Sequence, residues 1–427
     1  MRRALLLLLI GVSILAALWT RHRSGLDEPI VDADQLQPAG AWVRDTSRRG
    51  APKVDGEQAA QVLSLPYSAG GAPAPNQDGV VFHDPERAWA GLNLYVSGHG
   101  PEVILVDMDG KYLHRWRRDF TDTFPGVTPG PETDFIRRAR LLPDGSLLVL
   151  FQGGGLARLD RRSEVLWATA GAFFNDFELD VDENRILVIG KSLKRVPELR
   201  GDADVLEDFL LELDLHTGRR GSSFPLWQAF HAGGFAELLH PLPESPDIFH
   251  SNTVTLLNPE MELPGAEPDS MGAAPWVPGH LLISLREVDV LAVLDAERRS
   301  VLWARRGPWK AQHEPVVTDG YLKMFDNLGG TDGGSRILTW DPLEDQPVQV
   351  FEHPTFHSPQ AGTVAVLPNG NTLVTCSEQG RAFELGVDGT VVWEMVSPHR
   401  AGRHDELVAT LFEVQRLPPD AFSPSDL

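Results

Sequence analysis

From Gly79 onward, short runs of alternating apolar and polar residues end in Asp-Gly or Asn-Gly pairs. A period of two is typical of β-strands, and these pairs are typical of the turns that join antiparallel strands. The pattern is clearest over residues 139–167 and 364–394. Each stretch predicts strands in succession, the first ending at the turn and the last containing a Trp. The chain is therefore predicted to be all-β.

The same unit recurs less regularly, beginning at Asp176, Ser251 and Pro315. A sixth copy is split: residues 92–116 supply its second to fourth strands, and Leu411–Leu417 supplies its first. Repeated four-stranded units predict a β-propeller, here with six blades and closed by pairing of the two chain ends.

The N-terminal segment has a different pattern. Two arginines precede an apolar stretch from Ala4 to Trp19, and further basic residues follow it. This predicts a membrane anchor helix over residues 1–24, because no small-x-small cleavage triplet follows the apolar run. Residues 25–78 are predicted to be a neck or linker, residues 79–418 the propeller and residues 419–427 a tail. We expect the propeller to lie outside the cytoplasm, on the periplasmic side, tethered to the membrane.

Composition removes several classes of function. Asp and Glu outnumber Lys and Arg by 60 to 38, giving a formal charge of −22, so nucleic acid is not expected as a partner. The single cysteine, Cys376, excludes an intrachain disulfide and a Cys-only metal site. No metal or cofactor is predicted.

Aligning the repeats on the turn that ends their first strand brings three polar residues to similar positions. Asn175, His250 and His313 each lie roughly eight residues before that turn, which predicts that they meet at one mouth of the propeller. Arg286 ends the second strand of the blade that carries His250 and is expected at the same mouth. Imidazole can act as nucleophile or base, and Arg can neutralise a sulfuryl or phosphoryl oxygen.

Several motifs, in this order, resemble the bacterial arylsulfotransferase family: Gly91-Leu-Asn-Leu-Tyr95, Val106-Asp-Met-Asp-Gly-Lys-Tyr-Leu-His-Arg-Trp116, Phe249-His-Ser-Asn252, Ile283-Ser-Leu-Arg286, Gln312-His313, Phe325-Asp-Asn327 and Leu367-Pro-Asn-Gly-Asn-Thr-Leu373. The resemblance implies a six-bladed propeller that moves a sulfuryl group from a phenolic sulfate ester to a phenol. It also implies ping-pong transfer through a sulfohistidine, without a nucleotide sulfate donor. The partners expected are therefore a small aryl sulfate and a phenolic acceptor.

The resemblance also assigns roles to residues. Carried over by motif, His313 is the nucleophile, and His250 and Arg286 bind or activate the sulfate. Asn175, Asn252 and Arg336 are expected to bind substrate, with loop-pinning as the alternative for Arg336.

One departure from the family pattern leaves a second hypothesis open. Where the family motif begins a first strand with His-His-Asp, this chain has Phe174-Asn-Asp176, so one imidazole is missing. An amide cannot carry a proton near neutral pH. The alternative is a catalytically inactive propeller that binds an anion or another envelope component without turnover.

Overall fold

The computed structural model describes residues 70–130, 132–261 and 274–422. These residues are mostly strands with a few short helices, so the all-β prediction is confirmed. The helices are α1 (Phe120–Thr123), α2 (Pro197–Arg200) and α3 (Leu226–Ala232), with 3₁₀ turns at Ala236–Leu239, Pro259–Met261, Thr331–Gly333 and Ser377–Gln379.

The strands of the described residues follow in chain order. The first half comprises β1 (Gly70–Pro73), β2 (Gly79–His83), β3 (Leu92–Ser97), β4 (Glu102–Val106), β5 (Tyr112–Arg117), β6 (Arg138–Leu141), β7 (Leu147–Phe151), β8 (Gly155–Leu159), β9 (Val165–Ala170), β10 (Phe173–Asp180), β11 (Arg185–Arg195), β12 (Asp204–Asp214), β13 (Arg220–Pro225) and β14 (Ser251–Leu256). The second half comprises β15 (Leu281–Leu285), β16 (Val290–Asp295), β17 (Ser300–Arg306), β18 (His313–Thr318), β19 (Tyr321–Asp326), β20 (Arg336–Asp341), β21 (Gln346–Glu352), β22 (Thr363–Val366), β23 (Thr372–Cys376), β24 (Arg381–Leu385), β25 (Val391–Val396), β26 (Arg400–Ala401), β27 (Leu407–Ala409) and β28 (Leu411–Leu417).

Six antiparallel sheets hold most of these strands. Sheet 1 has the order β28-β3-β4-β5, and sheets 2 to 5 are the consecutive sets β6–β9, β10–β13, β14–β17 and β18–β21. Sheet 6 contains β22–β25, with β2 added outside β25. In sheets 2 to 6, the first strand contacts the first strand of the next sheet: β6 contacts β10, β10 contacts β14, β14 contacts β18, β18 contacts β22, and β22 contacts β28. Sheet 1 reaches sheet 2 through β3 and β6.

The split repeat forms as predicted. Strand β28 pairs with β3 in antiparallel register, with Leu411 opposite Ser97 and Leu417 opposite Leu92. The last strand of the described chain and a strand near its beginning therefore share one sheet, and each supplies backbone hydrogen bonds to the edge of the other.

The segment expected to be linker contains one short strand. Gly70–Pro73 forms β1, which pairs with β27 at the edge of a small sheet of order β1-β27-β26. An edge position tolerates Gly and Pro because one side of the strand needs no ladder bonds. The segment predicted to be linker thus includes an edge strand at Gly70–Pro73. The predicted anchor over residues 1–24 lies outside the described residues, and none of the helices within those residues has the length and apolar character needed to span a bilayer.

Apolar side chains between neighbouring sheets form the core. Trp116 and Trp393, which lie in two fourth strands, are fully buried. The indole N–H of Trp393 donates to the carbonyl of Met108 in sheet 1, at 2.8 Å. These tryptophans therefore pack adjacent sheets together, as their repeated position suggests.

Candidate active site

The first strands of four sheets meet in a buried cluster of charges. Arg138 of sheet 2 lies 3.1 Å from Asp176 of sheet 3 and 2.9 Å from Glu413 of sheet 1, and it also contacts Glu314 of sheet 5. All four side chains are largely buried, with Arg138 only 3% exposed. We call Arg138, Asp176, Glu314 and Glu413 the ionic layer. The contacts of Arg138 therefore bring the first strands of these four sheets close together.

A second layer lies one residue earlier along the same strands. The residues that directly precede the ionic layer are Arg137, Asn175, His313 and Phe412. The guanidinium of Arg137 lies 4.8 Å from the ring centre of Phe412. Residues of this layer therefore also contact each other between neighbouring sheets. We call these residues, with Asn252 of sheet 4, the histidine layer.

Hydrogen bonds between sheets define which residues are equivalent. Asn175 donates through Nδ2 to the carbonyl of Ser251 at 2.8 Å, and Asn252 donates in the same way to Gln312 at 2.8 Å. In both cases the acceptor directly precedes the equivalent residue of the next sheet. Asn175, Asn252 and His313 therefore share one position, whereas His250 lies two residues before Asn252. The predicted equivalence of His250 was wrong because β14 is not followed by a tight turn: Leu256 pairs with Leu281 across a long inserted segment, so the count had no turn from which to start.

His313 is held by its Nδ1 atom. This nitrogen donates to Oδ1 of Asn327 at 2.7 Å and lies 3.1 Å from the carbonyl of Ala311. Nδ2 of Asn327 donates to the carbonyls of Ser358 and Ala361, which fixes Oδ1 as the atom facing the histidine. Both partners of Nδ1 are acceptors, so Nδ1 carries the hydrogen. Nε2 then has its lone pair available, and it has no hydrogen-bond partner among the described residues.

The surroundings of His313 keep the imidazole neutral. Burial lowers its pKa well below the ordinary value, and the positive charge of Arg286 acts in the same direction. The charges of His250 and Arg137 lower the pKa of His313 further. A neutral imidazole with a free Nε2 lone pair is the form that can act as a nucleophile.

His250 belongs to a buried chain of charged groups. Its Nδ1 atom lies 2.6 Å from Oδ2 of Asp247, and Nζ of Lys191 lies 2.6 and 2.7 Å from the two oxygens of that carboxylate. The carboxylate of Asp208, 3.9 Å from Lys191, accepts the backbone N–H of Ser251 at 2.7 Å. His250 itself has φ of 47°, a left-handed conformation that is strained for this residue type. The surrounding contacts therefore fix both its ring and its backbone.

Arg286 follows β15, the second strand of the sheet that contains Asn252. Its backbone N–H donates to the carbonyl of His250 at 3.3 Å, and its guanidinium contacts Glu287 and the carbonyl of Pro359. The Nε atom is buried and has no hydrogen-bond partner within the described part of the chain. An unused buried donor beside two imidazoles is suited to an anionic oxygen.

The structure gives the predicted substrate-binding residues other contacts. Oδ1 of Asn175 accepts a hydrogen bond from Nε2 of Gln152 at 3.0 Å, and Nδ2 of Asn175 donates to the carbonyl of Ser251. Arg336 donates to Asp326 at 2.7 Å and to the carbonyl of Pro308 at 3.2 Å, which pins the loop after β19. The loop-pinning interpretation of Arg336 is thus the one that its contacts match.

Sequence reasoning missed four residues that shape this site: Asp247, Lys191, Asn327 as the partner of His313, and Arg137. Asp247 lies three residues before His250, and this Asp-x-x-His spacing was the available signal. Lys191 comes from β11 of the preceding sheet, and no local pattern connects it to His250. Among the described residues, no group of three or more His, Cys, Asp or Glu side chains is arranged to hold a metal ion.

Comparison with known families identifies the chain. The sequence profile of the family described as arylsulfotransferase (ASST) matches residues 138–398, more than half of the 427 residues. The chain belongs to the arylsulfotransferase family. The matched region spans sheets 2 to 6 and contains His250, Arg286 and His313, so the family resemblance predicted from the motifs is confirmed.

Solved structures similar to this arylsulfotransferase family member have low sequence identity to it. A protein of unknown function from Bacteroides caccae is 12% identical, with a TM-score of 0.43, and the match covers 76% of this chain and 98% of that chain. Streptogramin B lyase is 10% identical, with a TM-score of 0.40, over 82% and 95% of the two chains. The Dos1 propeller is 12% identical, with a TM-score of 0.39, over 75% and 76%. No curated protein sequence matches the chain.

Proposed function

We propose that this protein transfers a sulfuryl group from a phenolic sulfate ester to a phenol, with Nε2 of His313 as the nucleophile. The observation that carries this proposal is the hydrogen-bond pattern of His313. Nδ1 donates to Asn327 at 2.7 Å, and Nε2 has no partner among the described residues. The imidazole is thereby held in one tautomer with its lone pair free.

Arg286 and His250 are proposed to bind the sulfonate oxygens. The chain carries a formal charge of −22, so an anionic substrate requires local positive groups. Arg286 and Arg137 both act electrostatically on His313, which supports a positively charged environment around the reacting sulfur. Fixed donors at developing negative charge lower the barrier of such a transfer.

The reaction proceeds in two displacements. In the first, the lone pair of Nε2 forms the N–S bond while the S–O bond to the aryl group breaks, and the phenolate leaves with that electron pair. In the second, the oxygen of an acceptor phenol attacks the sulfur and the N–S bond breaks. The acceptor's proton passes to water, which balances the proton that the phenolate released in the first step takes up from water. His313 returns to its starting form, and no nucleotide sulfate donor or cofactor is required.

The architecture is proposed to be a single six-bladed propeller, with sheets 1 to 6 as its blades and the site at the mouth formed by the starts of the first strands. Contacts between successive sheets and the reach of Arg138 across four of them support this interpretation. We also retain the membrane anchor at residues 1–24 and the extracytoplasmic location as proposals.

A second function is favoured by one observation. Both polar atoms of the Asn175 side chain are used within the protein, at the position where the family pattern has an imidazole. The alternative is therefore a propeller that binds an aryl sulfate or related anion at Arg286 and His313 without turning it over.

The test is turnover of 4-nitrophenyl sulfate by residues 70–427, with and without added phenol. The enzymatic proposal predicts a stoichiometric release of nitrophenol without acceptor and continuous release with it. His313→Ala should abolish both phases. A protein that binds the ester but releases no nitrophenol would establish the alternative.

Glu287→Gln is a matched control for this experiment. Glu287 contacts Arg286 but has no contact with His313, so the variant tests whether altered charge near Arg286 alone removes nitrophenol release. We expect it to keep the release without acceptor that His313→Ala loses.

A further inference from the structure

One short loop joins the ends of the second strands of three neighbouring sheets. Arg286 follows β15 of sheet 4, Asn327 follows β19 of sheet 5, and the 3₁₀ turn Ser377–Gln379 follows β23 of sheet 6. Residues 358–361, which lie between β21 and β22, form hydrogen bonds with all three. We call residues 358–361 the connecting loop. Arg286 and Asn327 have roles in the proposed reaction, whereas the turn in sheet 6 has none so far.

We propose that Glu378, acting through Ser358, is a positioning residue for sulfuryl transfer: its carboxyl group anchors the connecting loop, and the loop holds Asn327 and Arg286 in place. The inference rests on the proposed function, because it concerns the geometry of that same site. It adds a residue of sheet 6 that has no described contact with His313 or Arg286.

Ser358 is the centre of the arrangement. It is fully buried, and its carbonyl accepts from Nδ2 of Asn327 at 2.6 Å. Its backbone N–H donates to Oγ of Ser335 at 2.7 Å, and Oγ of Ser335 donates to the backbone carbonyl of Asn327 at 2.9 Å. Ser358 therefore holds the side chain of Asn327 directly and its backbone through Ser335.

The hydroxyl of Ser358 connects this arrangement to Glu378. The backbone N–H of Glu378 donates to Oγ of Ser358 at 3.2 Å, and the same Oγ donates its hydrogen to Oε2 of the Glu378 carboxyl. Burial raises the pKa of Glu378, whereas hydrogen bonds from Ser358 and from the backbone of Gln360 and Ala361 act against this rise. Hydrogen bonds from three residues of the connecting loop therefore converge on one carboxyl group.

The connecting loop also holds Arg286. The carbonyl of Pro359 accepts from Nη2 of Arg286 at 3.3 Å, while Nε of Arg286 has no hydrogen-bond partner within the described part of the chain. A bond at Nη2 restricts rotation of the guanidinium and leaves Nε for an anionic oxygen. Two adjacent residues, Ser358 and Pro359, thus hold the partner of the nucleophile and the group proposed to bind the sulfonate.

A shift of the connecting loop would change both the nucleophile and its surroundings. Asn327 would no longer hold its Oδ1 atom against Nδ1 of His313, so the ring could adopt the tautomer in which Nε2 carries the hydrogen and cannot attack. A misplacement of about 1 Å caused by a residue far from the reacting atoms can cost about 10²-fold in rate. Loss of the anchor should therefore be visible in the tautomer of His313 and in the rate.

The first measurement needs no substrate. The full chain is labelled with ¹⁵N-histidine, and the signals of the two ring nitrogens of His313 are assigned by their loss in His313→Gln. The wild type should show hydrogen on Nδ1 alone. Ser358→Ala, which removes the hydroxyl, and Glu378→Met, which removes its acceptor, should each show a mixture of the two tautomers. Hydrogen on Nδ1 alone in both variants would overturn the proposal.

The second measurement is single-turnover release of nitrophenol at saturating 4-nitrophenyl sulfate. We expect the limiting rate to fall about 10- to 10²-fold in Ser358→Ala and in Glu378→Met. Glu378→Gln keeps an oxygen that can accept from the hydroxyl of Ser358, so it should recover part of the rate and of the Nδ1–H tautomer. A wild-type rate in Glu378→Met, or no recovery in Glu378→Gln, would contradict the anchoring role.

Gln379→Met is the matched control, because Gln379 is the next residue of the same turn. Its side chain contacts the carbonyl of Thr355 at 2.6 Å and Sγ of Cys376 at 2.9 Å, both outside the connecting loop. It should keep the Nδ1–H tautomer and the wild-type rate; a loss equal to that of Glu378→Met would assign the effect to the turn as a whole and overturn the proposal. If the wild type releases no nitrophenol, the proposed function fails, and the tautomer still tests the anchor. If the wild type reacts and the variants keep its tautomer and rate, only the anchor fails.

Discussion

The histidine layer and the ionic layer lie one residue apart on the same strands, yet they are built for opposite purposes. In the ionic layer, Arg138 contacts three carboxylates and is 3% exposed. In the histidine layer, Nε2 of His313 has no partner among the described residues, and a buried Nε of nearby Arg286 also has none. One layer satisfies its charges internally, whereas the other leaves reactive atoms for a ligand.

The difference shows how a site is built on strands that converge. Successive residues of a strand point to opposite faces, so a strand can contribute one residue to a closed ionic cluster and the preceding residue to an open site. The ionic layer fixes the distance between the first strands. The histidine layer can then hold its side chains in place without using all of their hydrogen-bonding atoms.

The largest expected effect comes from comparing Arg138 of the ionic layer with Arg286, which lies beside the histidine layer. Arg138→Met leaves three buried carboxylates without their shared partner and should lower the free energy of unfolding by about 3–5 kcal/mol. Arg286→Met should change it by less than about 1.5 kcal/mol but reduce nitrophenol release about 10²- to 10³-fold. Urea unfolding and single-turnover rates measure both quantities. An Arg138→Met protein as stable as the wild type would remove the distinction between the layers.

The next prediction concerns the residue that differs from the family pattern. Asn175→His loses the bonds to Gln152 and to the carbonyl of Ser251, and should lower the free energy of unfolding by about 1–3 kcal/mol. It should not increase phenyl sulfate turnover, because the side chain at this position contacts Gln152 and the carbonyl of Ser251 and has no described contact with His313. Thermal unfolding and steady-state rates test this. A faster variant would show that the missing imidazole limits the reaction.

A smaller effect is expected for Glu314 of the ionic layer. Burial raises the pKa of Glu314 to about 7, even though Arg138 opposes this shift. Between its ordinary value of 4.5 and about 7, the folded protein keeps a proton that the unfolded chain releases. The stability contributed by the protonated carboxyl is therefore present below pH 4.5 and is lost as the pH rises to 7.

Glu314→Gln removes this titration. The free energy of unfolding of the variant, relative to the wild type, should rise from pH 4.5 to 7 and then level off. Urea unfolding across this range measures the difference. If the difference in free energy of unfolding between the variant and the wild type stays constant with pH, the proton is held by another residue of the ionic layer.

The smallest effect is expected when the pH is lowered from 7 to 6 and the reaction rate of His313 is measured. Burial, with the charge of Arg286, lowers the pKa of His313 well below 6.5, so the nucleophile stays neutral at pH 6. The single-turnover rate with 4-nitrophenyl sulfate should therefore be nearly equal at pH 7 and pH 6. An imidazole of ordinary pKa would lose about threefold over this interval, and such a loss would show that His313 is less shielded than its surroundings indicate.

The strands and the split sheet could be predicted from the sequence because both depend on local patterns. Alternation and turn pairs located the strands, and the unmatched first strand at Leu411–Leu417 indicated its partner at Leu92–Ser97. The short strand Gly70–Pro73 was missed because its pairing with β27 is imposed by a distant part of the chain.

The candidate site was predictable only in part. His313 is the first residue of β18, as the register suggested, but His250 was assigned to a position that Asn252 occupies. The strand that carries Asn252 is joined to its partner strand by a long segment between Leu256 and Leu281, so counting residues back from a tight turn fails there. Lys191 and Asn327 act through contacts with other segments, which only the folded chain brings together.

The most direct test of the account is to trap the intermediate. The protein is mixed with 4-nitrophenyl sulfate in the absence of a phenol, quenched at alkaline pH and digested, and its peptides are analysed by mass spectrometry. The account predicts one sulfuryl group per chain on the peptide that contains His313, and none in His313→Ala. Nitrophenol release without a modified His313 peptide, or modification of His250 instead, would contradict it.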